Sequence, residues 1–349
     1  MRDVLVFVGI LALLILGHEF GHFVAARLQG VKVTEFGIGF PPRLLTLFQA
    51  GGTRFTVNAI PLGGFVRPAG EDDPSVPGGL AGAPKRTRAL VLLAGPGANI
   101  LLGVLAFTAA YKFAAPDPAR VIVTQVAAGS PAEAAGLQRG DLTIRFNDIE
   151  INSFETLRDA TAANLDTLIT LTVLRQGETI KVPITPRSEH PPDEGPIGIT
   201  IGHPTLQTSW PEASVYGVNA AFLQFENMVL FPSRLMQGDV APEDARVSGL
   251  KGMYDMFAWA GEIDRDAQRP FLTLNLVGLI SIGLALANLL PIPALDGGRL
   301  AFVAFEAVFH RRLSPRHEGL AHAIGFVLLL ILMAYVNIQD FSNPLVLPR

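Results

Sequence analysis

Apolar residues in this chain gather in long runs more often than they alternate with polar ones. Four stretches, 4–27, 89–113, 271–292 and 320–338, are long and apolar enough to cross a hydrocarbon core of about 30 Å, which takes roughly 20 helical residues. The second is interrupted by Gly95-Pro96, and the third ends at Pro291 and Pro293. Proline lacks the amide hydrogen and breaks the helical ladder. At membrane depth such a break is tolerated where it lines a cavity enclosed by protein. The first run is disturbed differently. Residues 4–16 lead into GHEFGH at 17–22, and apolar residues resume from Phe23 to Ala26. Two histidines and a glutamate therefore stand inside a span.

Between the spans the pattern changes twice. Residues 29–70 hold two β-type runs, VKVTEFGIGF and TRFTVNAIPLGGFV, separated by Gly51-Gly52. They are too apolar for a solvated loop and predict a membrane-reentrant β-hairpin that satisfies its own backbone. Residues 67–84 read as loop. Residues 118–202 alternate short strands with two helical patches, as an inserted α+β domain does. Residues 205–270 carry the amphipathic patches VYGVNAAFLQFENMVLF and GLKGMYDMFAWAGEI, which suggest interfacial helices, with core packing against the inserted domain as the close alternative. The expected organisation is span one over 1–28, hairpin and loop over 29–70, span two over 89–113, inserted domain over 118–202, interfacial helices over 205–270, span three over 271–298, a loop over 299–319 and span four over 320–338.

Composition supports a multi-pass α-helical membrane protein. Of 349 residues, 49% are hydrophobic and only 17% charged, against about 25% charged in ordinary soluble domains. The net charge of −4 and the lack of a strongly basic segment argue against nucleic acid as a partner. Cysteine is absent, which excludes disulfides and thiolate ligands, so any metal must be held by His, Asp, Glu or Asn. Only Arg2 precedes the first run and no convincing cleavage site follows it, so it reads as a retained helix. That lack of a transit-like start favours a bacterial inner membrane over an organelle.

Arg27, Lys32, Arg43, Arg54, Arg67, Lys85, Arg86 and Arg88 lie between spans one and two. Arg299, Arg311, Arg312 and Arg316 lie between spans three and four. Outside these loops Arg2 precedes the first span and Arg349 ends the chain. The segment 112–269 carries the other thirteen, but long domains translocate largely regardless of charge. The two basic loops are therefore expected in the cytoplasm, with both termini and the inserted domain outside. GHEFGH falls in the cytoplasmic half of span one.

His18 and His22 are four apart, so a helix puts both on one face within reach of one ion. Glu19 lies about 100° round from His18 and about 60° from His22, bordering that face without competing as a ligand. This is the logic of H-E-x-x-H, in which two imidazoles hold zinc and the glutamate takes a proton from activated water. Chance occurrences of the motif are common in soluble helices, but ionisable groups at membrane depth are expensive and usually functional. A catalytic zinc takes three protein ligands and keeps a fourth position open. Asp296, in NLLPIPALDGG at the broken end of span three, is the candidate third; the competing reading is an N-cap for the helix that follows.

HEFGH, the signature SPAEAAGLQRGDLTIRFNDIEI and NLLPIPALDGG together resemble the site-2 protease family of intramembrane zinc metalloproteases. The resemblance is closest to the bacterial regulator-of-sigma-E protease type, here with one PDZ-like domain. It covers nearly the whole chain, including Gly-Pro-x-x-Asn at 95–99 and the hairpin. It implies zinc ligands His18, His22 and Asp296, with Glu19 as general base and Asn288 as a substrate-positioning residue. Asn99 is implied as a partner behind the ligands, Asn58 as a contact to extended substrate, and GPIGITIG at 195–202 as the last strand of a circularly permuted PDZ fold, with Gly195 and Ile197 in its groove. His190, His203, His310, His317 and His322 lie outside the motifs and read as surface or interface residues.

The implied reaction is hydrolysis of a peptide bond within the transmembrane segment of a single-span protein by zinc-activated water, on substrates already trimmed outside by another protease. Anti-sigma factors and remnant signal peptides are the substrate types, and membrane lipid is the surrounding partner. A strand of substrate would pair with the hairpin near 55–66. The alternatives are an inactive membrane scaffold using its PDZ-like unit and a metal transporter. Intact ligands and Glu19 speak against the first, and the absence of inverted repeats against the second.

Overall fold

The computed structural model describes residues 2–191, 194–239, 246–345 and 347; Arg349, counted in the charge bias, lies outside them. The chain divides into two compact units, residues 111–210 and the remainder. In chain order the elements are α1 (Arg2–Leu28), β1 (Val33–Ala50), β2 (Thr53–Pro68), α2 (Lys85–Phe113), β3 (Val121–Val126), α3 (Pro131–Ala134), β4 (Leu142–Phe146), β5 (Ile149–Glu150), α4 (Phe154–Ala162), β6 (Ile169–Arg175), β7 (Glu178–Ile184), β8 (Ile199–Gly202), α5 (Trp210–Gln237), α6 (Leu250–Ala267), α7 (Phe271–Leu289), α8 (Asp296–Phe309) and α9 (Pro315–Ser342).

In the larger unit, α1, α2, α7 and α9 are long and apolar enough to cross a membrane, so the protein is a multi-pass membrane protein. Helix α2 differs from expectation. It runs unbroken through Pro96, which is buried with Gly95 and Asn99 on one face. A proline inside a helix forfeits one ladder bond, and at membrane depth neighbouring helices can take up freed carbonyls. Here α1 lies against that turn: a Cβ on Gly21 would come within 2.3 Å of Ala94 O. The real break comes after α7, where residues 290–295 leave the helical path before α8 begins.

The apolar region 33–68 is more than a simple hairpin. Each of its two long strands doubles back, β1 near Pro41-Pro42 and β2 near Gly63, so that Gly37 pairs with both Phe65 and Thr56, and Val57 with both Ile38 and Leu45. The result is a curled sheet of four segments in the order 64–68, 33–40, 53–60, 43–50. Phe23 of α1 packs edge-on against Phe36 and Phe55, fixing the sheet to the first span. Its other surface leaves Phe40, Leu44, Leu45, Leu47 and Phe48 exposed.

Helix α5 packs on one face through small residues, while Val215, Tyr216, Val218, Phe222 and Leu223 remain exposed. Ala213, Gly217 and Ala221 are buried, and a Cβ on Gly217 would lie 2.2 Å from Thr108 Oγ1 of α2. Phe107, Ala221 and Ile282 form a common core for α2, α5 and α7. Buried carboxylates cap the neighbouring helices. Asp264 accepts the Leu272 and Thr273 amides at the start of α7, and Asp340 accepts those of Gly249 and Gly252 at the start of α6.

The smaller unit is an antiparallel sheet in the order β7-β6-β4-β3-β8, with β5 beside β4. Phe146, Leu171, Val173, Ile169 and Val121 form its core with Leu157 of α4. Ser130 and Ser153 cap α3 and α4 by accepting the amides of Glu133 and Thr156. Gln176 and Gly177, both at positive φ, make the tight β6–β7 turn. The segment 199–202 is indeed a strand: β8 forms one edge, paired with β3 alone, and leaves a groove against α4.

Candidate metal centre

Three side chains from two distant parts of the chain converge in the larger unit. His18 and His22 stand one turn apart on α1, as their spacing dictates. Asp296 is the first residue of α8. The two rings face each other nearly at right angles with centroids 4.8 Å apart. His18 Nε2 and His22 Nε2 lie 3.0 and 3.2 Å from one oxygen of Asp296, and 3.1 Å from each other. Among the described residues this is a group of His, Asp and Glu side chains able to hold a metal ion.

The donor set fits zinc. His22 Nδ1 meets the Val91 carbonyl at 2.7 Å, so that nitrogen carries the hydrogen and the Nε2 lone pair is left facing the cluster. Three such acceptor atoms crowded together repel one another unless a cation sits among them. Their separations approach the edge of a tetrahedron with bonds of about 2.0 Å, roughly 3.3 Å.

The surroundings impose this geometry. Asn99 of α2 is buried, and its carboxamide lies 3.3 Å from His18 Nδ1 while its Oδ1 has no partner among the described residues. A half-turn of the carboxamide brings Oδ1 to that nitrogen, holding His18 with its hydrogen on Nδ1 and its Nε2 lone pair toward Asp296. Ser281 of α7 donates to the Asn99 carbonyl at 2.7 Å, linking α2 to α7. Gly95 faces both histidines: a Cβ there would lie 2.3 Å from His22 Nε2 and 2.7 Å from His18 Nε2. Beyond Asp296, a Cβ on Gly297 would lie 2.3 Å from Leu289 O, and one on Gly298 2.3 Å from Ile292 O. The Asp-Gly-Gly sequence thus lets α8 begin directly on the backbone that ends α7.

A cavity of ≈ 280 Å³ opens on the cluster, and Glu19, Asn288, Gly64, Phe65, Val66 and Arg299 are among its lining residues. Glu19 Oε2 accepts the Val66 amide at 2.9 Å. Val66 lies on the edge segment 64–68, so the sheet holds the carboxylate that borders the histidines. Asn288 donates to Leu284 O of its own helix. At the cavity wall Arg299 pairs with Glu71, while Lys85 and Arg88 hold the end of α8 through Glu306.

Other expected residues fall elsewhere. Asn58 is 4% exposed and its Nδ2 donates to Gly39 O at 3.0 Å, so it braces the bend of β1 and does not line the cavity. Within the region 55–66, segment 53–60 is paired on both sides, and 64–66 lies on an outer edge at the site, with the Val66 amide held by Glu19. Gly195 and Ile197 line the groove of the smaller unit together with Leu157, Arg158 and Ile199. His190 and His310 are exposed, His317 donates its amide to Ser314, the N-cap of α9, and meets the same hydroxyl with its ring, and His203 stacks on Phe154. His322 is an interface residue, half-buried where α9 meets α8 and the turn before it. Its Nδ1 accepts the Ala294 amide at 2.8 Å, two residues before Asp296. A histidine in an apolar span is the signal that marks it, the same one that marks His18 and His22.

A family model described as peptidase family M50 matches residues 6–332. A protein of Agrobacterium fabrum whose name places it among zinc metalloproteases is 30% identical over 97% of this chain and 95% of its own length. One from Synechocystis with a name of the same kind is 32% identical over 96% of this chain and 93% of its own. Metalloprotease MmpA of Caulobacter vibrioides is 27% identical over 96% and 94%.

Proposed function

Since the chain belongs to peptidase family M50 and is a zinc-dependent metalloendopeptidase of the membrane, we propose that it cuts a peptide bond inside the transmembrane segment of single-span proteins, with Glu19 as general base. The observation that carries this reading is the convergence of His18, His22 and Asp296 beside Glu19, the first two and Glu19 on a helix apolar enough to span a membrane and Asp296 opening α8 just beyond another such helix. In the proposal His18, His22 and Asp296 hold the ion. A zinc ion so held supplies a Lewis acid for the scissile carbonyl and makes water acidic enough to ionise near neutral pH. Glu19 takes the proton from the attacking water at one carboxylate oxygen and delivers it to the departing amine nitrogen. Val66 N–H orients that carboxylate, and Asn288 reaches the same cavity to bind the substrate backbone.

A transmembrane helix hides its carbonyls in internal bonds, so the substrate must unwind before it can react. The outer edge at 64–66 offers its remaining backbone groups as replacement partners by strand addition. The groove between α4 and β8, an edge strand flanked by apolar side chains and Arg158, suits an extended peptide end, which fits a PDZ-like role for this unit. Substrates shortened outside beforehand, of the anti-sigma factor or remnant signal peptide type, suit such a site. The setting proposed is a bacterial inner membrane, with the catalytic cavity toward the cytoplasm and the PDZ-like domain outside.

The test is cleavage of a single-span substrate by purified protein, wild type against Glu19→Gln. Product from wild type, lost with a chelator and lowered at least about 100-fold by the substitution, is expected. Equal product from both would remove Glu19 as the base.

A further inference from the structure

Helix α9 faces outward along most of its length. Leu320, Ile324, Phe326, Val327, Leu328, Ile331 and Leu332 are all exposed. A helix of this kind has no need of a histidine, and burying imidazole at membrane depth is costly. His322 nevertheless turns inward. Its Nδ1 accepts the Ala294 amide at 2.8 Å, and the edge of its ring meets Phe302 of α8, with centroids 5.4 Å apart. Accepting at Nδ1 requires the ring hydrogen to sit on Nε2, which is buried.

The amide it holds belongs to a strained turn. Ala294 sits at φ +83°, a conformation that a residue with a Cβ adopts only when its surroundings impose it. Within the segment Ile292 N–H reaches Leu290 O, Leu295 N–H reaches Ile292 O and Gly298 N–H reaches Leu295 O, while the Ala294 amide goes out to His322. On the same helix, one turn further on, Gly325 lets α9 close on this turn, since a Cβ there would lie 2.2 Å from Pro293 O. Two residues after Ala294 comes Asp296.

We propose that His322 is a positioning residue for the metal centre: as the acceptor for the Ala294 amide it fixes the 293–295 turn, and so sets where the Asp296 carboxylate meets His18 and His22. This rests on Asp296 being a metal ligand. Partners one bond removed from a ligand commonly alter metal affinity by about 10- to 100-fold, and His322 acts through the backbone in the same manner. The turn is then held from outside by a lipid-facing helix, and displacement of α9 is felt at the third ligand.

The experiment uses full-length protein loaded with cobalt(II), whose visible absorption reports ligand number and geometry without any substrate. Wild type is compared with His322→Leu, His322→Gln, Gly325→Ala and Asp296→Asn. Leucine removes the acceptor, while glutamine restores one of similar reach. Alanine at 325 keeps the histidine but pushes α9 off the turn. The expected result is that His322→Leu and Gly325→Ala each weaken cobalt binding about 10-fold or more and shift the absorption, and that His322→Gln recovers most of both. A change with Asp296→Asn but none with either His322→Leu or Gly325→Ala overturns the inference and leaves the ligand assignment standing. No change with Asp296→Asn removes the assignment itself. If the leucine variant does not fold, His322→Phe, which keeps the bulk of the ring without the acceptor, takes its place against His322→Gln.

Discussion

At the scale of single residues, the centre depends as much on what is missing as on what is present. Gly95 is a glycine because both ring nitrogens occupy the space where a side chain would begin. The helix backbone cannot retreat cheaply, because Gly21 and Ala94 are already in contact on the same interface. Gly95→Ala is therefore expected to take bound zinc from about one per chain toward none, with the helical circular dichroism retained. Alanine is the better helix former by about 1 kcal/mol, so the loss cannot be ascribed to a weakened α2. Elemental analysis of the purified variant checks it; full zinc content would show that the rings can move aside. His322 teaches the complementary point. The cost argument that singles out His18 and His22 applies to any ionisable group in an apolar span, yet no motif surrounds His322 to draw attention to it.

At the scale of elements, the smaller unit shows how one ion pair can hold a sheet in register. Asp141, with a fully buried side chain, lies just before β4 and takes Arg175 of β6 in a two-pronged contact, Nε to Oδ1 at 2.7 Å and Nη2 to Oδ2 at 2.6 Å. Burial raises its pKa, but the guanidinium and the Gln138 amide outweigh burial and hold the carboxyl below its usual range. The sign follows from that direction. The stabilisation is present above the unfolded value of about 4 and is lost as pH falls through the lower folded value. Arg175→Met leaves a buried carboxylate unpaired and should destabilise this unit by about 3–5 kcal/mol at neutral pH. Only the Gln138 amide would then oppose burial at Asp141, so acid should destabilise less through this site. Hydrogen exchange of the β3, β4 and β6 amides in the full chain, at pH 7 and at about pH 2.5, measures both effects; unchanged protection would show the pair to be idle.

At the scale of the whole molecule, the absence of cysteine makes the proposed sidedness directly testable. Lys181 in β7 and Arg316 at the start of α9 are both exposed. Single cysteines placed there should label oppositely in intact cells with an impermeant maleimide, Lys181→Cys from outside and Arg316→Cys only after lysis. The reverse pattern would invert the proposed orientation. Much of the molecule was legible along the chain. Apolar run length marks spans because hydrocarbon thickness sets it, and His18 and His22 share a face because helical pitch sets that. A carboxylate at the proline-broken end of an apolar run marked Asp296 as a candidate ligand. Tertiary structure decided the rest, because those features arise from contacts between residues far apart in sequence. Pro96 does not break α2, and α1 packs closely on the same stretch. Asn58 braces a bend because β1 and β2 double back and bury it. Asp296 reaches the histidines 274 residues away through a turn whose conformation His322, on the last span, helps to hold. Local periodicity specifies which residues share a face; only packing specifies what that face meets.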